Sequence, residues 1–393
     1  MTTVTTGLEQ LLRDAHPWIR GRRLGLLCNP ASIDRRYTHA RDALMQCFPG
    51  QLKALYAPQH GFWAEKQDNM VESDHMTDPA TGLPVFSLYG ETRIPTPAML
   101  DPIDVLLVDL QDVGTRVYTF IYTLSYCMEA ARDCGRQVLV LDRPNPVNGR
   151  QVEGNLLKPQ WSSFVGRFAL PMRHGLTIGE LARLFNDRFG IGCELEVVAM
   201  DGWGRTMWFG ETGLPWVAPS PNMPTPDTAA VYPGQVIWEG TNISEGRGTA
   251  LPFEICGAPY LDVTRVGKML ADKSLPGVVL RPLTFEPTSG KHAQTPCHGF
   301  QLHITDRDRY QPYLTTLQLL QAIIRCHPDA FEWKAPPYEY EFEKRPIDLI
   351  LGDADLRRCI EAQEDPEMLA RSWQGELLAF REACRPSLLY AGV

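Results

Sequence analysis

The sequence has no excess of positive charge, no long apolar run, and none of the short motifs that mark nucleotide, zinc or serine-hydrolase chemistry. Each absence excludes something. Net charge is −9 over 393 residues, so the broad basic face needed by nucleic acid or an anionic membrane is missing. No apolar stretch approaches the roughly 20 residues that span a bilayer. No GxGxxG follows the first predicted strand, and no GxxxxGK[ST] occurs, so the phosphate cradles of dinucleotide and P-loop proteins are lacking. A GxSxG nucleophile elbow is also lacking. Histidines 39, 60, 75 and 174 show neither HExxH nor HxH spacing, and no metal site is expected, even with Asp109 added. No cofactor is expected. The ten cysteines form no CxxC pair and sit mostly in apolar runs such as LLCNP and FEICGA. They are expected to be buried free thiols. The first twenty residues hold no positive stretch followed by an apolar core. A cytoplasmic, reducing location is therefore expected.

What is present is an alternation of short apolar runs with helical spacing. Strands are expected at Arg23 to Leu27, Leu52 to Tyr56, Pro84 to Leu88, Val105 to Asp109 and Gln137 to Leu141. Helices are expected near Thr38 to Cys47 and Tyr118 to Cys134. This pattern predicts an α/β protein with a Rossmann-like parallel sheet and right-handed crossovers. After Gly149 proline, glycine and tryptophan become dense. A division is expected there: residues 1–150 as the α/β unit carrying most of the site, and residues 151–393 as a smaller α+β unit closing a cleft. In the second unit Thr177 and Glu180 form a capping-box signature for a helix running to about Phe189. Strands are expected at Glu194 to Ala199, Val278 to Thr284 and Gly299 to Ile304, and helices at Tyr313 to Cys326 and Pro366 to Cys384.

All but the third of the early strands discharge polar residues at their carboxyl ends, where open parallel sheets bind ligands. These are Asn29; Gln59 and His60; Asp109, Gln111, Asp112, Thr115 and Arg116; and Asp142, Arg143 and Asn145. From the second unit come Asn222 in the rigid loop PSPNMPTP, and Glu239, Asn242, Glu245 and Arg247 in WEGTNISEGRGT. The glycines of that stretch let backbone approach a ligand closely. Carboxylates on facing elements suit glycoside hydrolysis, where one protonates the leaving oxygen and another charge stabilises the oxocarbenium-like transition state. Aromatic residues that stack on sugar faces lie in or near these loops: Trp63, Tyr89, Tyr118, Tyr122, Trp203 and Trp238.

Seven stretches carry a resemblance over almost the whole chain: CNPAS from Cys28, HG at His60, DLQDVGTRVYTF from Asp109, LDRPNPVNG from Leu141, PMRHGLTIGELA from Pro171, PSPNMPT from Pro219 and EGTNISEGRGT from Glu239. Together they resemble the family of NamZ-type exo-β-N-acetylmuramidases, formerly a domain of unknown function. The resemblance implies a cleft between a Rossmann-like unit and a smaller one. It also implies release of a terminal N-acetylmuramic acid from the non-reducing end of peptidoglycan fragments. At the second strand end, relatives look like PEHG, with the glutamate a catalytic candidate. This chain has PQHG, and the Gln59 amide cannot act as a general acid or base. The expectation is that Glu65 serves as the acid, with His60 assisting and Asp109 polarising water. Arg116, Arg143 or Arg247 would grip the substrate carboxylate. The rival expectation is a non-catalytic sugar-binding or regulatory protein of the same fold.

Overall fold

The computed structural model describes residues 3–391. Its main sheet has seven strands. They are β1 (Leu24–Cys28), β2 (Leu52–Ala57), β3 (Met76–Thr77), β4 (Pro84–Ser87), β5 (Val105–Asp109), β6 (Gln137–Leu141) and β9 (Leu195–Val198); β7 (Glu153–Leu156) and β8 (Pro171–Arg173) form a separate ribbon. The order across the sheet is β3-β4-β2-β1-β5-β6-β9. All pairs are parallel except β3 with β4. β1 and β5 are buried along their whole length, which is why LGLLC and VLLVD read as unbroken apolar runs. The capping box at Thr177 and Glu180 starts the helix Ile178–Asp187 as its sequence requires.

The sheet does not stop at residue 150. β9 pairs with β6 through Val138 to Leu141, so the expected division falls inside the first layer. The change in composition at Gly149 marks a long excursion over the sheet, containing β7 and β8, rather than the end of the unit. The second sheet is antiparallel, with β10 (Ile255–Ala258), β11 (Val278–Phe285) and β12 (Cys297–Ile304) in the order β10-β12-β11. Beside it the helix Pro226–Gln235 packs on Pro312–Cys326. Gly234 permits this, since a Cβ there would lie 2.0 Å from the Pro312 carbonyl oxygen.

One side chain from the first unit secures the C-terminal part. Arg116 is fully buried and touches no carboxylate. Its guanidinium donates to the carbonyls of Asn155 (2.7 Å), Leu170 (2.9 Å), Ile350 (3.0 Å) and Leu351 (2.8 Å). The last two close the helix Pro346–Leu351, whose carboxyl end favours a cation. Burial lowers the Arg116 pKa from its ordinary value. Replacement by methionine would remove a buried donor from four carbonyls, of which only Leu170 and Leu351 keep a second one, from the Leu157 N–H and the Asn155 amide. Urea unfolding of Arg116→Met is expected to show a loss of about 3–5 kcal/mol, as for other broken buried polar networks. A loss below about 1 kcal/mol would refute this role.

Candidate active site

The strand order reverses at β1: the chain runs to β2 and β4 on one side, then to β5, β6 and β9 on the other. The crevice between the ends of β1 and β5 is where such sheets usually bind ligands. Here it is plugged. Asp109, with no exposed surface, is held by the Arg143 guanidinium, whose Nη2 donates to Oδ2 at 2.8 Å and to the Ile33 carbonyl at 2.9 Å. Asn29 donates to the Gln111 carbonyl, and the Gln111 amide donates to the carbonyls of Asp112 and Pro144. Asp112 accepts from the Gly114 N–H and faces His174 across 3.4 Å. Thr115 pairs through its backbone with Arg173. Asp142 caps the helix after it through Thr177 and Gly179, with burial raising its pKa to about 7. Asn145 fastens Leu176 and Val147. These residues make the protein's own contacts and none lines the cavity described next. Their expected roles in gripping the sugar, and that of Asp109 in polarising water, find no place at this cavity. The same holds for Arg116, which is spent on carbonyls, and for Asn242, which bonds Ala330 and Tyr260.

The cavity opens one strand over, at the end of β2. Gln59, His60, Thr119, Asn222, Tyr232, Glu239, Arg247, Tyr338 and Glu339 are among its lining residues, and its volume is about 30 Å³. Gln59 is buried and every polar atom of its amide is engaged. Its Oε1 accepts from Thr119 Oγ1 at 2.6 Å. Its Nε2 donates to Glu339 Oε1 at 3.0 Å and to the Tyr89 hydroxyl at 3.2 Å. Tyr89 in turn donates to Glu339 Oε2 at 2.6 Å. Thr119 is the N-cap of the helix Phe120–Asp133, but its side chain makes no capping bond. The hydroxyl is turned to Gln59 instead.

Glu339 is the carboxylate that the sequence reading missed. It sits in the run PPYEYEFEKRP, where nothing in spacing or periodicity separates it from its solvated neighbours. Its backbone is left-handed, as is that of Tyr340 (φ 47° and 65°). Two consecutive non-glycine residues in that region carry strain that the surroundings must hold. Burial raises the Glu339 pKa, only partly offset by hydrogen bonds from Tyr89 and Gln59, and the charge of Glu239 raises it further.

Glu239 is the opposite case. Burial works against its charge. Yet Arg247 donates to Oε1 at 2.7 Å, Tyr338 to Oε2 at 2.6 Å and Asn69 to Oε2 at 3.1 Å. Arg247 and Tyr338 carry the balance, and the Glu239 pKa falls below its ordinary value. Glu245 stands behind, 3.4 Å from the Arg247 Nε and 2.8 Å from Lys291. His60 lines the cavity, but burial lowers its pKa to about 4, so it is a neutral imidazole donating through Nδ1 to the Lys66 carbonyl. Glu65 is exposed. Its carboxylate accepts from the Trp63 N–H and folds over Gly61, outside the cavity. The expected acid therefore does not line this cavity. Gln59, His60, Asn222, Glu239 and Arg247, with the aromatic Tyr118, are the foreseen residues that line it. Among the described residues no group of three or more His, Cys, Asp or Glu side chains is arranged to hold a metal ion.

Two carboxylates in one enclosed cavity, with pKa values displaced in opposite directions, are the equipment of a glycoside hydrolase. Comparison with known proteins agrees. The family described as Exo-beta-N-acetylmuramidase NamZ, N-terminal, matches residues 24–227, and its C-terminal counterpart matches residues 230–390. A Bacillus subtilis protein named peptidoglycan beta-N-acetylmuramidase NamZ is 43% identical over 387 residues, covering 98% of this chain and 91% of the relative. Two crystal structures of DUF1343 family proteins from Bacteroides fragilis match over the full length of both chains. One has a TM-score of 0.87 at 33% identity, the other 0.78 at 26%. The chain belongs to the NamZ exo-β-N-acetylmuramidase family. Because Glu65 stands outside the cavity, Glu65→Gln is expected to change turnover of a muraminide by less than about twofold, as surface substitutions usually do. A collapse in turnover of a folded Glu65→Gln protein would restore it as the acid.

Proposed function

We propose that this chain removes a terminal N-acetylmuramic acid from the non-reducing end of peptidoglycan fragments, with Glu339 as general acid and Glu239 as the ionised partner. The opposed pKa displacement of these two glutamates carries the reading. Glu339, protonated, gives its proton to the glycosidic oxygen as the bond from that oxygen to the anomeric carbon breaks; a water molecule then bonds to that carbon and gives up a proton that restores the acid form of Glu339. Gln59 and Tyr89 hold the acid in place. Glu239, kept charged by Arg247 and Tyr338, stabilises the positive charge that develops on the sugar. The neutral His60 and the amides of Asn69 and Asn222 supply hydrogen bonds without adding charge.

A sugar needs more than 30 Å³; ligand pockets commonly run from about 300 Å³ upward. The turn over residues 60–70 fills the difference. Asn69 bonds Glu239, and the Gln67 carbonyl accepts from Asn222 at 3.0 Å and Arg247 at 3.4 Å. Entry of substrate requires this turn to swing aside, with hydroxyl groups of the sugar replacing Asn69 on Glu239. A small cavity with limited opening favours a single terminal residue, which is exo action.

The non-catalytic alternative rested on Gln59, and it loses its motive because the Gln59 amide presents a carboxylate from another part of the chain. A cytoplasmic location is supported by the ten free cysteines, seven of them buried. No helix among the described residues is long and apolar enough to cross a membrane.

The pH dependence follows from the two directions. Glu239 must be ionised and Glu339 protonated. The acid limb of kcat/KM is therefore expected below the usual carboxylate range and the alkaline limb above it. Glu339→Gln is expected to lower kcat about 10²–10⁴-fold, the usual worth of a general acid, and to abolish the alkaline limb. A residual profile that keeps both limbs would contradict the assignment.

A further inference from the structure

Arg93 is a cation without an acid. Its side chain makes no hydrogen bond or ion pair with any described residue, and its Nε is buried without a partner. Three aromatic rings surround it: Tyr340 with its centroid 4.0 Å from the guanidinium carbon, Phe164 at 4.9 Å and Tyr89 at 5.1 Å. Aromatic faces order a guanidinium through its π-system and leave its N–H donors unspent. The neighbouring arginines differ in having partners for their terminal nitrogens, although the Arg116 Nε is likewise buried without one. Arg247 is consumed by Glu239 and Glu245, Arg116 by four carbonyls and Arg143 by Asp109.

The place of this cage matters. Tyr89 donates to Glu339, and Tyr340 follows Glu339 in the chain. Phe164 precedes Val165, which lines the cavity; Arg93 itself is outside the lining of this small cavity and meets a substrate only where the cavity widens toward the cage as the sugar enters. Arg93 is near enough for its charge to act on Glu339, where it opposes the upward shift. Resting on the proposed glycosidase reading, the substrate has one group that such a cation fits. N-acetylmuramic acid differs from N-acetylglucosamine by an O3-linked lactyl carboxylate, and arginine binds carboxylates with two parallel hydrogen bonds.

We infer that Arg93 binds the lactyl carboxylate and so sets the preference for muramic acid over N-acetylglucosamine glycosides. The pairing has a second effect. It neutralises the cation beside Glu339 and favours the protonated acid as the sugar arrives.

Steady-state kinetics on three 4-nitrophenyl glycosides test this: the β-N-acetylmuraminide, its lactyl methyl ester and the β-N-acetylglucosaminide. The wild type is expected to favour the free acid over the ester and the glucosaminide. Arg93→Met is expected to lose about 30-fold or more in kcat/KM on the free acid, as when one member of a buried charge pair is truncated. Most of the loss should fall in KM, and the free acid should lose far more than the ester or the glucosaminide. Arg93→Lys, which keeps the charge but not the fork, should recover part of the loss and guards against misfolding of the methionine variant. Equal wild-type rates on acid and ester would overturn the inference, as would full discrimination retained in a folded Arg93→Met protein. A wild type that cleaves none of the three overturns the glycosidase reading itself, and Arg93's role with it.

Discussion

One hydrogen bond organises the site: the Gln59 amide nitrogen donates to the Glu339 carboxylate at 3.0 Å. Its two ends are separated by most of the chain. Gln59 belongs to the turn after β2, and Glu339 to a strained loop beyond the helix Pro312–Cys326. Joining them brings a carboxylate into a cavity whose Rossmann-like wall contributes none of its own. An amide suits this position better than an acid would, given that Glu339 is also present. Two carboxylates at that spacing cannot both ionise. The amide instead donates to one glutamate oxygen and accepts from Thr119, which fixes the orientation of both side chains.

The position of the cavity follows from what occupies the usual crevice. Asp109 and Arg143 neutralise each other at the ends of β5 and β6, and Asn29, Gln111 and Asp112 tie the adjoining loops together. A buried ion pair gives little net stability against a well-packed apolar alternative. Its effect here is geometric: it closes the switch point and leaves the end of β2 as the open edge. The second unit then supplies both carboxylates, Glu239 from the glycine-rich loop and Glu339 from the strained one. Arg116 keeps that unit registered on the first by holding the carboxyl end of the helix Pro346–Leu351.

Much of the fold was legible in the sequence, because buried parallel strands advertise themselves as unbroken apolar runs. LGLLC, LKALYA, VLLVD and QVLVL are strands with boundaries within a residue of those expected. Tertiary choices were less legible. The shift in composition at Gly149 looked like a domain edge, yet β9 returns to the same sheet. The polar strand ends looked alike, but a polar cluster does not disclose whether it faces ligand or its own backbone. Arg116 and Asp109 serve the backbone and each other; Gln59, His60 and Glu239 serve the cavity. Glu339 left no signal at all, because its meaning depends on Gln59 and Tyr89, some 250 to 280 residues earlier. Glu65 drew the acid role because it was near Gln59 in sequence, but its carboxylate folds over Gly61 and does not line the cavity.

Glu339 is the proton donor of the proposed reaction, and leaving-group dependence tests that most directly. A general acid matters greatly when the departing oxygen is basic and little when it is not. Turnover of Glu339→Gln should be measured on a 4-nitrophenyl muraminide and on a disaccharide in which N-acetylmuramic acid is linked to a second sugar. Cleavage of the disaccharide is predicted to fall by a far larger factor than cleavage of the nitrophenyl glycoside. Equal losses on both, or none, would contradict the assignment and leave Glu339 as a structural residue of the cavity.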